Sequence, residues 1–281
     1  MLNIITSKNM TLHTVNGVPF YTFNLPGIAK DFRLTVSTRH GGVSTEKDLA
    51  TMNLGTSTAD KWDNVVENYK LFCDASGIDI NNIVLAKQTH SCNVRLVTKA
   101  DAGKGVLKER DYTDIDGLIT DTPEMTLVIH TADCVPVALM DTKTYATGNS
   151  HCGWRGTFSA LASNTLEEMK SYFGTDAKDI VAAIGPCICA QCYEVSRELY
   201  DSFMEKFGYE EYIVSKNNRY FLNLPMINRQ ILIDAGVPQE NIIVSDICTC
   251  CNKEDFFSHR GLGSGRGIIA TFLECKANKK S

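Results

Sequence analysis

The sequence has 281 residues, of which 43% are hydrophobic and 22% are charged, a composition that excludes a disordered chain and predicts a packed core. Its formal net charge of -5 gives no basic surface for a long stretch of nucleic-acid backbone, so we expect no nucleic-acid partner. The first residues, MLNIITSKNM, hold neither an uninterrupted apolar segment nor a small-residue cleavage site, and no window approaches about 18 apolar residues. We therefore expect a cytoplasmic protein without membrane contact.

Strands and helices are predicted to alternate along the whole chain. Short β-branched runs predict strands at residues 33–37, 83–86, 93–97, 126–130, 135–140, 145–147, 180–184, 242–244 and 267–272. Helical spacing of apolar residues predicts helices at residues 60–76, 157–173, 196–207 and 226–235, the first two ended by Gly77 and Gly174. Several strands follow one another without a helix between them, which favours an α/β fold with mixed sheets over a purely parallel one. No linker, repeat or low-complexity segment marks a domain boundary.

Three strand ends carry side chains that can bind a transition metal. His90 follows the strand at 83–86, Cys134 lies in the polar HTADC stretch between two apolar strands, and His151 lies in GNSHCGWRG, which we expect to leave the strand at 145–147. Two His and one Cys, with a fourth position for water or substrate, match an open catalytic zinc site. The spacing alone is not a local metal motif, and a lone His is more often a satisfied core or surface residue.

The motifs KQTHS, DGLITDTPEMTLVIHTADCVPVALMD, GNSHCGWRGT, AIGPCICAQCYEV, CTCCNKEDFFSHR and GRGIIATFLE occur in this order along the sequence. In order and spacing they resemble the laccase-domain family, described first as multicopper polyphenol oxidases and later as purine nucleoside phosphorylases. The resemblance spans nearly the whole chain and implies one catalytic domain over residues 1–281, folded as a layered α/β sandwich with mixed sheets. It also implies that His90, Cys134 and His151 bind one catalytic zinc ion.

The activity that the resemblance implies is phosphorolysis of adenosine, inosine, guanosine and methylthioadenosine, together with adenosine deamination. Deamination needs an activated water aimed at the purine carbon that carries the amine. Phosphorolysis needs an anion pocket that holds phosphate against the anomeric carbon of the ribose. The expected partners are therefore a small nucleoside and phosphate, and no obligate protein partner is evident.

Several residues are candidates for binding the substrate. Arg39 beside Gly41 and Gly42 can surround phosphate oxygens, because a cation next to glycine amides suits an anion, and Arg155 and Arg266 are further candidates. Each arginine could equally make a structural ion pair in a Gly-rich turn. Gln88 and Asp133, which lie beside His90 and Cys134 along the chain, could support the ligands or transfer protons, although Asp133 could also cap a strand-end turn.

Two departures from the family pattern bear on the ion. Cys152 stands where the family usually has Ala, and His259, Arg260 and Gly261 stand where it usually has Tyr-Arg-Arg. A thiol beside the third ligand could bind a softer ion or oxidise, which leaves copper possible in place of zinc.

The main alternative function is a copper-dependent polyphenol oxidase that uses the same His/Cys site. The sequence has six histidines and no His-x-His pair, whereas a trinuclear copper cluster needs many imidazoles, so nucleoside chemistry ranks above oxidation. Two further alternatives are a Cys-His hydrolase with Cys134 as nucleophile and a binding module with a structural metal. The open fourth position argues against the latter.

Two groups of cysteines raise the question of a second metal site. They are Cys187, Cys189 and Cys192, and Cys248, Cys250 and Cys251. Judged by their CxC and adjacent CC spacings, they differ from the paired C-x2-C of structural zinc knuckles. Packing as small apolar side chains is therefore the favoured interpretation.

Overall fold

A computed structural model describes residues 4–276 of the chain and contains fifteen strands in that range. The strands are β1 (Met10–Val15), β2 (Val18–Phe23), β3 (Phe32–Ser37), β4 (Ile83–Leu85), β5 (Val94–Leu96), β6 (Gly117–Thr120), β7 (Thr126–Thr131), β8 (Val135–Asp141), β9 (Thr147–Cys152), β10 (Ile180–Ile184), β11 (Glu194–Val195), β12 (Ile213–Lys216), β13 (Arg219–Leu222), β14 (Ile242–Val244) and β15 (Ile269–Cys275).

The α-helices within the described range are α1 (Trp62–Ser76), α2 (Trp154–Phe158), α3 (Leu161–Phe173), α4 (Arg197–Phe207), α5 (Leu224–Asp234) and α6 (His259–Leu262). Short 3-10 turns, such as Lys99–Asp101 and Ala190–Cys192, lie between them. Gly77 and Gly174 end α1 and α3 with φ values of 71° and 70°, which confirms the two helix ends predicted from these glycines. No helix in residues 4–276 has both the length and the apolar character that crossing a membrane requires.

Two six-stranded mixed sheets form the centre of the fold. The first sheet has the order β1-β2-β3-β15-β7-β4, in which β4 runs parallel to β7 and the other neighbours are antiparallel. The second sheet has the order β14-β10-β8-β9-β6-β5 and is parallel only at its two outermost pairs. The strands of a small antiparallel sheet, β11-β13-β12, do not pair with either large sheet. The mixed α/β fold predicted from the sequence is therefore confirmed.

The two large sheets pack face to face with helices on their outer faces. Val128 of β7 packs with α1, whereas its neighbours Leu127 and Ile129 pack with Leu118 of the second sheet. Val137 of β8 packs outward in the cluster that contains α3 and α5, as successive strand residues point to opposite faces. The result is a four-layer arrangement of helix, sheet, sheet and helix.

Two predicted boundaries are wrong in ways that affect the site. The polar GNSHC segment does not leave a strand but forms β9, whose residues are all buried. The single helix predicted over 157–173 is two helices, because Ala160 between α2 and α3 adopts a left-handed conformation with φ 55°. The predicted strands at 33–37, 126–130, 135–140 and 180–184 correspond to β3, β7, β8 and β10.

Candidate metal centre

The structure brings His90, Cys134 and His151 together where the chain crosses between the two large sheets. His90 lies in the connection from β4 to β5, and Cys134 lies in the connection from β7 to β8. His151 lies within β9 of the second sheet. Their candidate ligand atoms all lie within 4.8 Å of one another. We call these three residues the trio.

Asp116 shapes the loop that carries His90. This buried carboxylate accepts hydrogen bonds from the backbone amides of Thr89 (2.9 Å), His90 (3.1 Å) and Ser91 (2.9 Å). The loop is thereby wrapped around one carboxylate, and His90 takes a left-handed conformation with φ 65°. The position of the first ligand is therefore set by a residue that lies 26 positions further along the chain.

The same carboxylate orients the third ligand. Asp116 Oδ1 lies 2.7 Å from His151 Nδ1, which leaves Nε2 of this buried ring as its candidate ligand atom. Burial alone would raise the pKa of Asp116, but hydrogen bonds from His151 and from the amides of Thr89 and Ser91 outweigh it and lower the pKa. Asp116 is therefore an acceptor-only anion at neutral pH. Asp116 does not stand out in the sequence, where its only signal is its position directly before the apolar strand β6.

The charges at the trio suit a cation. Burial lowers the pKa of His90, and the neighbouring His151 acts in the same direction. Burial also lowers the pKa of His151, but the neighbouring Cys134 and Asp116 outweigh it and raise the pKa to about 9. The buried Asp116 carboxylate against His151 thus supplies negative charge that a metal ion at the trio would neutralise.

The trio also fits a metal ion in space. Nitrogen and sulfur ligands of a tetrahedral zinc ion lie about 3.3 to 3.8 Å apart, and the candidate ligand atoms of the trio lie within 4.8 Å of one another. A Cβ built on Gly153 would lie 2.8 Å from His90 Nδ1 and 3.1 Å from Cys134 Sγ. A side chain at this position would therefore crowd two of the ligands, and glycine avoids this. The donor set and its surroundings therefore fit one transition-metal ion with a position left for substrate or water.

Two cavities meet at the trio. The larger cavity, of about 290 Å³, is lined by His90 and Cys134 together with Trp154, Tyr193, Arg155 and Arg260. The smaller cavity, of about 180 Å³, is lined by all three trio residues, and also by Gln88, Arg110 and His130. Arg266 lines both cavities. A ligand in either cavity would therefore lie against the candidate metal position.

The candidate substrate residues divide into two groups by position. Arg155, Arg266 and Asp133 line the larger cavity, and Gln88 and Arg266 line the smaller one. Asp133 accepts from Thr249 Oγ1 (2.7 Å) and from the backbone amide of Arg260 (2.6 Å), so its carboxylate binds distant segments of the chain and not its own strand-end turn. The side-chain amide of Gln88 donates from Nε2 to the His130 carbonyl (2.7 Å) and accepts at Oε1 from the His130 backbone amide (2.8 Å).

Arg39, Gly41 and Gly42 are not among the lining residues of either cavity. The Arg39 guanidinium donates to the backbone carbonyls of Ala50 (3.2 Å) and Lys253 (2.8 Å), so its contacts are structural but are not the ion pair given as its alternative role. A Cβ on Gly41 would lie 2.7 Å from the Gly17 carbonyl oxygen, so this glycine permits close packing against the β1–β2 turn. The phosphate pocket predicted at these residues would thus be separate from the trio.

His130 lies on the floor of the smaller cavity and is held neutral. Burial lowers its pKa to about 3, with Arg110 and His151 acting in the same direction. Its Nε2 lies 2.5 Å from the Tyr69 hydroxyl. His130 is therefore a neutral hydrogen-bonding group, and the candidate metal ligands do not include it.

Two expectations about cysteines need correction. Cys152 follows His151 in β9 but points to the opposite face, where it is fully buried among apolar residues and burial raises its pKa. It is therefore not placed to bind an ion at the trio. The spacing argument against a second cluster is also wrong, because Cys189 and Cys192, and Cys248 and Cys251, are C-x2-C pairs whose sulfur atoms converge.

Comparisons with known proteins agree with the fold and the motifs. Residues 33–276 match the family described as multi-copper polyphenol oxidoreductase laccase. The chain is 34% identical over 83% of its length to a purine nucleoside phosphorylase of Bacteroides thetaiotaomicron, covering 88% of that protein. It is 32% identical to adenosine deaminase RL5 of an unknown prokaryotic organism, over 84% of this chain and 91% of that protein.

A solved structure shares the fold. The hypothetical protein YfiH of Bacillus licheniformis superposes with a TM-score of 0.87 at 29% identity, covering 94% of this chain and 99% of that one. The matched residues 33–276 include all three trio residues. The chain therefore belongs to the multi-copper polyphenol oxidoreductase laccase family.

Proposed function

We propose that this chain is a zinc-dependent purine nucleoside phosphorylase that acts on adenosine, inosine, guanosine and methylthioadenosine, and that the same site deaminates adenosine. The observation that carries the proposal is the position of the trio between two cavities. The names of two relatives, a purine nucleoside phosphorylase and an adenosine deaminase, support it. A zinc ion held by His90, Cys134 and His151 would supply Lewis acidity toward a purine atom or a water molecule.

The larger cavity offers surfaces for both halves of a nucleoside reaction. Trp154 and Tyr193 provide aromatic faces suited to a purine ring. Arg155 and Arg266 provide positive charge for phosphate oxygens. Nε of Arg266 is buried without a hydrogen-bond partner among the described residues, and its Nη1 donates to the Ser264 carbonyl at 3.2 Å. Arg260 is less available, because its guanidinium donates to the carbonyls of Cys192 and Glu194.

In this proposal, phosphate and the ribose lie side by side against the trio. A phosphate oxygen bonds to the anomeric carbon as the bond from that carbon to the purine nitrogen breaks, and the base leaves with the electron pair. The arginines hold the phosphate in position, and the aromatic walls hold the base and exclude water. In deamination, water adds at the carbon that bears the amine, and ammonia leaves after it gains a proton.

Copper-dependent polyphenol oxidation at the same site is the second candidate, because two His and one Cys also suit copper and the family description names this activity. The four other histidines are not among the candidate ligands of the trio. His13 contacts Thr22, His40 contacts Asp255 and His130 contacts Tyr69, whereas His259 lines the larger cavity. Among the described residues, the arrangement therefore favours a single ion at the trio over a trinuclear copper cluster there.

The test is chromatography of adenosine incubated with the zinc-loaded protein, with and without phosphate. We expect adenine and ribose 1-phosphate when phosphate is present, and inosine when it is absent. His90→Ala, Cys134→Ser and His151→Ala should each lose one equivalent of bound zinc and nearly all turnover, whereas the control His13→Ala should lose neither.

Unchanged turnover in any correctly folded trio variant would refute the site. If the zinc protein releases no base while a copper-loaded sample oxidises a phenolic dye at high turnover, the oxidase is the correct assignment.

A further inference from the structure

Four cysteine side chains outside the trio converge from two separate loops. Cys189 and Cys192 lie between β10 and β11, and Cys248 and Cys251 lie between β14 and α6. Their four sulfur atoms lie within 4.8 Å of one another, and those of Cys192 and Cys251 are 3.4 Å apart. Sulfur ligands of a tetrahedral zinc ion lie about 3.8 Å apart. We propose that these residues, the cysteine cluster, form a second metal site, a closed tetrathiolate centre that binds one zinc ion.

The backbone brings the two C-x2-C pairs together without help from the sulfur atoms. Cys187 and Cys248 form an isolated parallel bridge, and the amide of Thr249 donates to the Cys187 carbonyl at 3.0 Å. The 3-10 turn Ala190–Cys192 then brings the thiol of Cys192 back toward the thiol of Cys189. Two C-x2-C pairs on adjoining loops are the usual ligand arrangement of structural zinc sites.

The environment of the sulfur atoms suits metal-bound thiolates. Backbone amides of Cys189 and Cys251 point at Cys248 Sγ at 3.3 and 3.4 Å, which stabilises negative charge on that sulfur. The Arg260 guanidinium donates to the Cys192 carbonyl at 2.9 Å and so brings positive charge to the same loop. These contacts would offset part of the charge of four thiolates around a divalent ion.

Apolar packing does not account for the cluster. Cys73, Cys152 and Cys187 are buried in hydrophobic clusters, as expected of cysteines that serve only as small apolar side chains. Cys251, in contrast, is exposed, and Cys189 and Cys192 are half-buried. Thiols that meet at the surface from two loops require another reason to converge, and a shared ion provides one.

The cysteine cluster is connected to the trio through Asp133, which precedes Cys134. The amide of Ile188, next to Cys189, donates to the Asp133 carbonyl at 2.9 Å. The hydroxyl of Thr249, next to Cys248, donates to the Asp133 carboxylate at 2.7 Å. The first loop also supplies Tyr193 to the wall of the larger cavity, and α6, which follows the second loop, supplies Arg260. A bound ion would therefore fix that wall, whatever reaction occurs there.

Metal analysis of the full-length protein, purified under reducing conditions and loaded with zinc, tests the proposal. We expect about two zinc ions per chain in the wild type, one at each cluster of ligands, and about one in Cys192→Ser, in Cys251→Ser and in His90→Ala. The double variant His90→Ala/Cys251→Ser should bind none. Cys250→Ser is the matched control and should keep both, because Cys250 lies outside the cluster.

Cobalt substitution of His90→Ala gives a readout that does not depend on activity. This variant keeps the cysteine cluster alone and should show intense thiolate-to-cobalt charge-transfer absorption that Cys251→Ser lowers strongly. Retention of both ions by Cys192→Ser and Cys251→Ser, or a Cys192–Cys251 disulfide in protein kept under reducing conditions, would overturn the proposal. Iron bound by all four thiols would support the site and overturn zinc as its ion.

Discussion

At the scale of single residues, Asp116 connects two ligands of the trio. Its carboxylate holds the loop amides around His90 and also Nδ1 of His151. Asp116→Asn keeps the shape of the side chain but replaces one acceptor oxygen with a donor that faces hydrogen-bond donors. We expect zinc affinity at the trio to fall about 10- to 100-fold, measured by competition with a chromophoric chelator in a Cys251→Ser background.

Asp114→Asn is the matched control for this prediction. Asp114 lies two residues away, is exposed, and contacts Thr89 and Asn93 rather than the trio. Asparagine tolerates its left-handed conformation, φ 59°. Zinc affinity should remain at the wild-type value. Equal losses in the two variants would mean that the loop as a whole, and not the contact between Asp116 and His151, sets the affinity.

Asp101 predicts a pH dependence of stability. Burial would raise its pKa, but the Thr98 amide and the ion pairs with Lys104 (2.9 Å) and Arg95 (3.0 Å) outweigh burial and lower the pKa to about 2. The pKa of an Asp side chain in an unfolded chain is about 3.9. The stabilisation is therefore fully present above about pH 4 and is lost as the pH falls toward about 2.

Asp101→Asn should lower the free energy of unfolding by about 2 kcal/mol at neutral pH, measured by urea denaturation. The difference from the wild type should shrink below about pH 4, because the wild-type carboxylate is then protonated. A difference that stays constant with pH would assign the loss to packing rather than to ionisation.

The candidate ligands could be predicted from the sequence, but the residue that orients them could not. His90, Cys134 and His151 stand out because they are metal-binding types beside apolar strands. Asp116 does not stand out from Asp114, since both acids precede the same strand in YTDIDG. Which of the two is buried depends on the register of β6 against β9, where Gly117 lies opposite Ser150.

At the scale of elements, the junction of β9 and α2 determines the space for the trio. Gly153 caps α2, and a side chain there would meet His90 and Cys134 at the distances given above. Gly153→Ala should therefore reduce zinc binding at the trio strongly, measured as bound metal per chain, because the ligands must move apart.

Gly148→Ala is the control, since it adds the same methyl group to β9 but against Met169 Sδ (2.8 Å) and Thr165 Cγ2 (2.9 Å). It should cost about 1 to 3 kcal/mol of stability through overpacking, yet leave zinc binding by the folded protein unchanged. Normal metal content in Gly153→Ala would show that the junction can shift without disturbing the ligands.

Strands with apolar runs were predictable, whereas β9 was not. Its sequence, TGNSHC, is polar and reads as a loop. It nevertheless forms a buried strand because tertiary contacts satisfy several of its polar groups, although Thr147 Oγ1 and Asn149 Oδ1 have no hydrogen-bond partner among the described residues. Ser150 Oγ lies 3.0 Å from Thr165 Oγ1 of α3, and His151 pairs with Asp116. Such partners are distant in sequence, so local propensity cannot reveal them.

At the scale of the whole molecule, Asn149 bridges the two large sheets. From β9 its amide donates to the carbonyls of Leu127 in β7 (3.0 Å) and Thr271 in β15 (3.1 Å), and it is fully buried. Asn149→Ala should lower the free energy of unfolding by about 1 to 3 kcal/mol, because two buried carbonyls lose a donor. Asn149→Asp should cost more, since it places an anion against the same carbonyls.

Urea denaturation measures both effects, with Asn164→Ala as the control. Asn164 lies on α3 and its amide contacts only the Ser159 carbonyl (3.2 Å) in an exposed position. Its replacement should change stability by less than about 0.5 kcal/mol. A similarly small effect at Asn149 would mean that apolar contacts alone hold the sheets together.

The position of β15 has a consequence for the order of events during synthesis. This strand follows all the other described strands in the sequence, yet it lies between β3 and β7 inside the first sheet. Until β15 has left the ribosome, β7 has only β4 beside it, and the connection that carries Cys134 lacks part of its support. All three ligands of the trio emerge well before that moment. We therefore expect metal capture at the trio to await release of β15, so that ribosome-bound chains stalled before residue 269 carry the ligands without the site.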